Sequence, residues 1–183
     1  NKATKSLQPF FSEYALFKYR LQIEIEYLIE LSLPGFPCEG LFKDIDKERL
    51  RNLYLSFSVE DALKIKEIEQ KTNHDIKALE YFIKERLDQM GLSASREWVH
   101  FGLTSQDINN TAIPLSLKEA SQHVLFPAIR ELIAHLRQLA NDWKEVSMLA
   151  RTHGQPASPT SLGKEIYVFV ERLESEFAKM QSS

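Results

Sequence analysis

Phe10, Tyr14, Phe17, Leu21, Ile25 and Leu28 recur at spacings of three and four, which predicts one helix with a single buried stripe. Leu33-Pro-Gly-Phe-Pro37 stops it, because proline cannot extend the hydrogen-bond ladder and glycine lets the chain turn. A short helix is expected over Lys47 to Leu55. Ser58, with Asp61 three residues on, carries a capping-box signature for another that runs towards Lys71. Asn73-His-Asp75 interrupts the periodicity with residues that favour caps and turns. Ile76, Leu79, Ile83, Leu87 and Met90 then mark the next stripe, with Gly91 as its C-terminal stop.

The longest periodic run is Ile129, Leu132, Leu136, Leu139, Trp143 and Val146, a seven-residue repeat that predicts the seam of a nearly parallel bundle. A helix from Asp107 to Val146 would be on the order of 60 Å long, kinked or divided at Pro114 and Pro127. The last helix is expected to open with Ser158 as N-cap and Pro159 at its first position, burying Leu162, Ile166, Phe169, Leu173, Phe177 and Met180. No period-two run is bounded by turns at both ends. The expected fold is therefore all-α without a substantial sheet, with an N-terminal helical domain over residues 1–104 and the start of a long-helix bundle over 105–183. So long a helix cannot cover its own stripe with this chain alone. It calls for further chain or other subunits.

The net charge of -3 gives no reason to expect nucleic acid or an anionic membrane as partner, although a local basic pocket for a phosphorylated small molecule is compatible with it. Cys38 is the only cysteine, so no intrachain disulfide and no thiolate metal site can form, which fits a reducing, cytoplasmic setting. No stretch approaches the ~20 apolar residues of a membrane span, and the N-terminus lacks the apolar core of a signal peptide. The chain opens without Met and stops after Met180-Gln-Ser-Ser, so both ends read as cut.

Two polar runs do nothing for a core. In the first, Gly102 feeds Thr104 and Ser105 into the long helix. One hydroxyl can cap that helix with Asp107, while the free N–H groups and the positive dipole end form a receptacle for a carboxylate or phosphate. Asn109 and Asn110 lower helix propensity there and gain no packing. In the second run, small and polar neighbours present His153 rather than bury it, and histidine can deliver a proton near neutral pH. His74 and His100 are further candidates, whereas His123 and His135 read as ordinary helix positions. No histidine pair has metal-ligand spacing, and there is no phosphate loop or dinucleotide fingerprint.

Three motifs, in order, resemble those of the adenylosuccinate lyases within the fumarase/aspartase superfamily: Thr72-Asn-His-Asp75, His100-Phe-Gly-Leu-Thr-Ser-Gln-Asp-Ile-Asn-Asn-Thr111 and Arg151-Thr-His-Gly-Gln-Pro-Ala-Ser-Pro-Thr160. The resemblance runs from Phe11-Ser-Glu-Tyr14 to Gly163-Lys-Glu165. The Thr-Ser-Gln-Asp-Ile-Asn-Asn run favours this family over argininosuccinate lyase and fumarase. It implies β-elimination of fumarate from adenylosuccinate, giving AMP, and from the succinyl-carboxamide ribotide of purine synthesis. By the same resemblance Thr104 and Ser105 contact a substrate carboxylate, and His153 is the general acid for the departing amine. Asn73, His74 and Asp75 line the nucleotide part. No metal or redox cofactor is implied, and the partner is the chain itself, in a homotetramer.

The family's Arg-Tyr substrate pair would precede residue 1, and its serine base would sit on a loop beyond Ser183. The chain is therefore expected to be an N-terminal fragment, inactive alone. A non-catalytic helical scaffold of the same superfamily, or a sister lyase with another amine leaving group, remain the alternatives.

Overall fold

The computed structural model describes residues 2–182, most of them helical. A 3-10 turn over Lys2–Leu7 leads into α1 (Gln8–Phe11) and α2 (Glu13–Glu30), where Ser12 caps α2 by accepting from the Ala15 amide at 3.1 Å. Then come α3 (Asp44–Leu55), α4 (Val59–Thr72) and α5 (Asp75–Gln89). The capping box expected at Ser58 is present: Asp61 N–H donates to Ser58 Oγ at 3.1 Å, and Ser58 N–H donates to Asp61 Oδ2 at 3.0 Å. Gly91, at φ +76°, ends α5 in a Schellman turn, with Leu92 N–H reaching the Leu87 carbonyl at 2.8 Å. A second 3-10 turn, Ser93–Trp98, leads to α6 (Ser105–Ala120).

Contacts divide the chain into two compact units, Asn1–Ala120 and Ser121–Ser183. In the first, α2 is the axis. Its Phe17, Leu21, Ile25 and Leu28 pack against Leu50 of α3, Ile65 of α4 and Leu79, Phe82 and Ile83 of α5. Burying each such side chain contributes about 1.5–3 kcal/mol, so this cluster supplies the cohesion of the unit. The opposite face of α2 offers Ala15 and Tyr19 to Ala112 of α6. Between these faces a strip of polar residues, Arg20, Glu24 and Tyr27, runs along α2 at spacings of four and three.

In the second unit a π-helical turn, Ser121–Leu125, precedes α7 (Phe126–Asp142). The helix expected from Asp107 to Val146 is thus divided, and its regular part ends at Asp142. Pro127 accounts for the break: it has no N–H for the carbonyl of residue 123 and its ring crowds that carbonyl, which a widened turn relieves. Next comes a two-stranded antiparallel ribbon, β1 (Ser147–Thr152) with β2 (Gln155–Ser161), before α8 (Leu162–Ser182). Ser158 and Pro159 therefore lie in a strand and do not open the last helix. Pro159 stands opposite Leu149, and a ribbon of two strands has outward edges where a residue without N–H is tolerated.

Ile133 of α7 and Val170 and Phe177 of α8 form the core of this unit. Leu132 and Phe169, both in the expected stripes, are 48% and 58% exposed. The bundle seam is only half covered within the unit. No described helix is long and apolar enough to cross a membrane.

Candidate functional site

The Asn73-His-Asp75 motif is the junction of α4 and α5. Asn73 ends α4 in the left-handed conformation at φ +51°, which asparagine tolerates better than most residues. His74 caps α5: its Nδ1 accepts the Lys77 amide at 3.2 Å. A ring nitrogen that accepts a backbone N–H carries no proton, so in the neutral ring the proton sits on Nε2 and this half-exposed side chain offers an N–H donor. Asp75 accepts the Ile76 amide at 2.8 Å and pairs with Arg20 at 2.8 Å. Burial pushes its carboxyl up, but the amide bond and the Arg20 guanidinium together outweigh that and hold it below the usual carboxylate range.

Thr104 stands immediately before α6. Both its N–H (2.7 Å) and its hydroxyl (2.8 Å) donate to Asp107 Oδ2, and these two bonds hold the Asp107 carboxyl below its ordinary value. The Thr104 hydroxyl proton is therefore already committed. Ser105 is the first residue of α6, and its hydroxyl makes no side-chain hydrogen bond among the described residues. With the open N–H groups of the first turn, it is the free donor at this helix mouth. Asn109, one turn further in, accepts from Arg20 Nε at 3.0 Å.

Arg20 thus ties the first turn of α5 to the second turn of α6, bringing two positive helix ends onto one guanidinium that is 6% exposed. It brings Asp75 together with Asn109, and sequence reading missed it. Further along the α2 strip, Glu24 Oε1 lies 2.5 Å from His100 Nδ1, and the Tyr27 hydroxyl donates to the Phe101 carbonyl at 2.9 Å. Burial is the largest influence on Glu24 and pushes its carboxyl up against the pull of His100. Charges at i, i+4 inside the apolar run of α2 were the available signal for Arg20 and Glu24.

His153 belongs to the second unit. Thr152 pairs with Gln155, which leaves His153 and Gly154 as the two central turn residues at φ +54° and +78°. This is a type I′ turn, whose two left-handed residues suit the twist of the ribbon. The ring is exposed at a hairpin tip, presented as expected but by a β-turn rather than a helix-opening loop. Among the described residues, no group of three or more His, Cys, Asp or Glu side chains is arranged to hold a metal ion.

Solved structures share this architecture. A fumarate lyase from Mesorhizobium sp. BNC1 matches 96% of the chain and 39% of its own, with a TM-score of 0.75 at 18% identity. The β-carboxy-cis,cis-muconate cycloisomerase of Acinetobacter calcoaceticus sp. ADP1 matches with a TM-score of 0.71, also at 18% identity, over 96% of the chain and 39% of its own. At such identity the likeness speaks for the fold alone.

Sequence relatives are nearer. The chain is 54% identical over 182 residues to an adenylosuccinate lyase of Dictyostelium discoideum, 97% of this chain against 39% of that protein. It is 42% identical over 185 residues to one from Vibrio cholerae, again 97% against 39%. The chain spans about 39% of the length of these curated relatives. A family profile described as lyase covers residues 4–183, taking in both helix mouths and the hairpin alike, and the chain belongs to that lyase family.

Proposed function

We propose that the protein to which this chain belongs is an adenylosuccinate lyase, which eliminates fumarate from adenylosuccinate to leave AMP and acts in the same way on the succinyl-carboxamide ribotide of purine synthesis. The observation that carries this reading is the 54% identity to the Dictyostelium enzyme over 97% of the chain, which includes all three polar motifs. In this reading a base removes the proton beside a substrate carboxylate, the C–N bond breaks, and the departing amine takes up a proton. Charge developing on the carboxylate is met by preorganised donors at the mouth of α6, where Ser105 has a free hydroxyl and Thr104 is held by Asp107.

Asn73, His74 and Asp75 line the nucleotide, with the His74 Nε2–H available to an anionic oxygen. His153 delivers the proton to the amine, a task that suits an exposed ring on a rigid turn. The serine base comes from a segment outside these residues, and copies of the chain combine in a cytoplasmic homotetramer. The reaction so written needs no metal or redox cofactor.

The test is cleavage of adenylosuccinate by the complete protein, followed by ultraviolet absorbance, with and without His153→Gln. The variant is expected to lose roughly 10²–10⁴ in rate, as for a missing general acid. Unchanged turnover would remove His153 from the role. No cleavage by either protein would favour a sister substrate or a scaffold.

A further inference from the structure

Glu24 is buried in α2 beside Leu21, Ile25 and Leu28, where an apolar side chain would meet the packing need at lower cost. Its Oε2 has no hydrogen-bond partner among the described residues, and Oε1 is spent on the His100 ring. His100 itself stands at φ +61°, a left-handed conformation uncommon outside glycine. Tyr27 holds the Phe101 carbonyl, so α2 bonds both the His100 ring and the turn that follows it. Nε2, the other ring nitrogen, has no hydrogen-bond partner among the described residues. Leu103 N–H donates to the His100 carbonyl at 3.3 Å, so His100 stands in the turn that leads directly into Thr104 and the mouth of α6.

We propose that Glu24 is a positioning residue, fixing the orientation and tautomeric state of His100 so that Nε2 is the one exchangeable proton site of the pair beside the α6 mouth. With a proton on Nε2 the pair is neutral overall and offers an N–H to a carboxylate or phosphate oxygen. When that proton leaves from Nε2, the carboxylate keeps the proton at Nδ1 and Nε2 becomes a base.

Of the surrounding charges, Glu80 acts on Glu24 and the others are engaged elsewhere. Glu80 of α5, which adds to the upward push of burial on the Glu24 carboxyl, is held by Lys77 and Lys84. Arg20 is engaged by Asp75 and Asn109, and Asp107 by Thr104. From α3 and α4, Arg51 and Lys66 meet Glu26 and Glu13, elsewhere on α2.

The experiment uses the complete protein with ¹⁵N-labelled histidine, as wild type, Glu24→Gln and Glu24→Leu, with the His100 ring assigned from its loss in His100→Gln. In Glu24→Leu the Nδ1 resonance is expected to move from a hydrogen-bonded position to that of a free ring. In Glu24→Gln, kcat/KM for adenylosuccinate is expected to fall between roughly 10- and 10⁴-fold, the upper end being the cost of a wrongly held tautomer. One limb of the pH–rate profile moves with it, while any fall in Tm is too small to account for the loss of rate. An Nδ1 resonance unmoved in Glu24→Leu overturns the inference. So does a moved resonance with an unchanged pH–rate profile, or a fall in Tm that accounts for the whole rate loss, since either marks a purely structural strut. The rate arm rests on the lyase reading: no cleavage of adenylosuccinate by the wild-type protein, together with the Nδ1 change in Glu24→Leu, sinks that reading and leaves the positioning role standing.

Discussion

Ser58 and Arg20 show what single residues can and cannot announce. Ser58 and Asp61 exchange hydrogen bonds across three residues, and Arg86 of α5 adds an ion pair to the same carboxylate. Because the cap is local, it was legible in the order of residues alone. Replacing Ser58 with alanine is expected to cost about 0.5–2 kcal/mol, read as a lower urea midpoint. A midpoint that stays put would mean that Arg86 alone secures the start of α4. Arg20 was illegible by contrast, since Asn109 lies 89 residues away and only the folded chain joins them. The same holds for Glu24 with His100, 76 residues apart. Thr104 and Asp107 were readable as a cap, but not that Asp107 would take up the Thr104 hydroxyl and leave Ser105 as the free one.

Among the elements, the helices of the first unit followed from their stripes and stops, which are short-range signals. The β1–β2 ribbon did not. His-Gly is a less familiar type I′ pair than Asn-Gly, and Ser158-Pro159 imitates a helix start. The approach of α8 to α7 depends on Gly163, where an added Cβ would lie 2.2 Å from the Ala140 carbonyl oxygen and 2.7 Å from Lys144 Cα. Both neighbours are backbone and cannot swing aside. Gly163→Ala is therefore expected to destabilise the second unit by roughly 1–3 kcal/mol, as forced overpacking does. Urea unfolding would measure it, and an unchanged midpoint would contradict the close approach.

For the molecule as a whole, charge sets the response to acid. Glu26, Asp61, Asp75, Glu80 and Asp107 are all held below their ordinary values of 4.5 for Glu and 3.8 for Asp. For Glu26 the leading cause is the Arg51 hydrogen bond; for Glu80, burial is outweighed by Lys77 and Lys84. Groups depressed in the folded state contribute stability above those ordinary values and lose it as pH falls through the depressed ones. Glu24 is raised, so its contribution has the opposite sign, present below about 4.5 and lost as pH climbs through its raised value. Five groups against one predict a lower urea midpoint at pH 3 than at pH 7. A higher midpoint at pH 3 would reverse that balance.

Cys38 lies in the connection between α2 and α3, 7% exposed, with its Sγ–H directed to the Leu31 carbonyl at 3.1 Å, and burial pushes its thiol up. The sole sulfhydryl of the chain is thus a shuttered window. A maleimide added under native conditions should couple at the pace at which this connection breathes, not at the pace of a free thiol. Labelling as fast as that of an unfolded control would show the shutter already open. Slow labelling would turn one atom into a clock for local opening of the first unit.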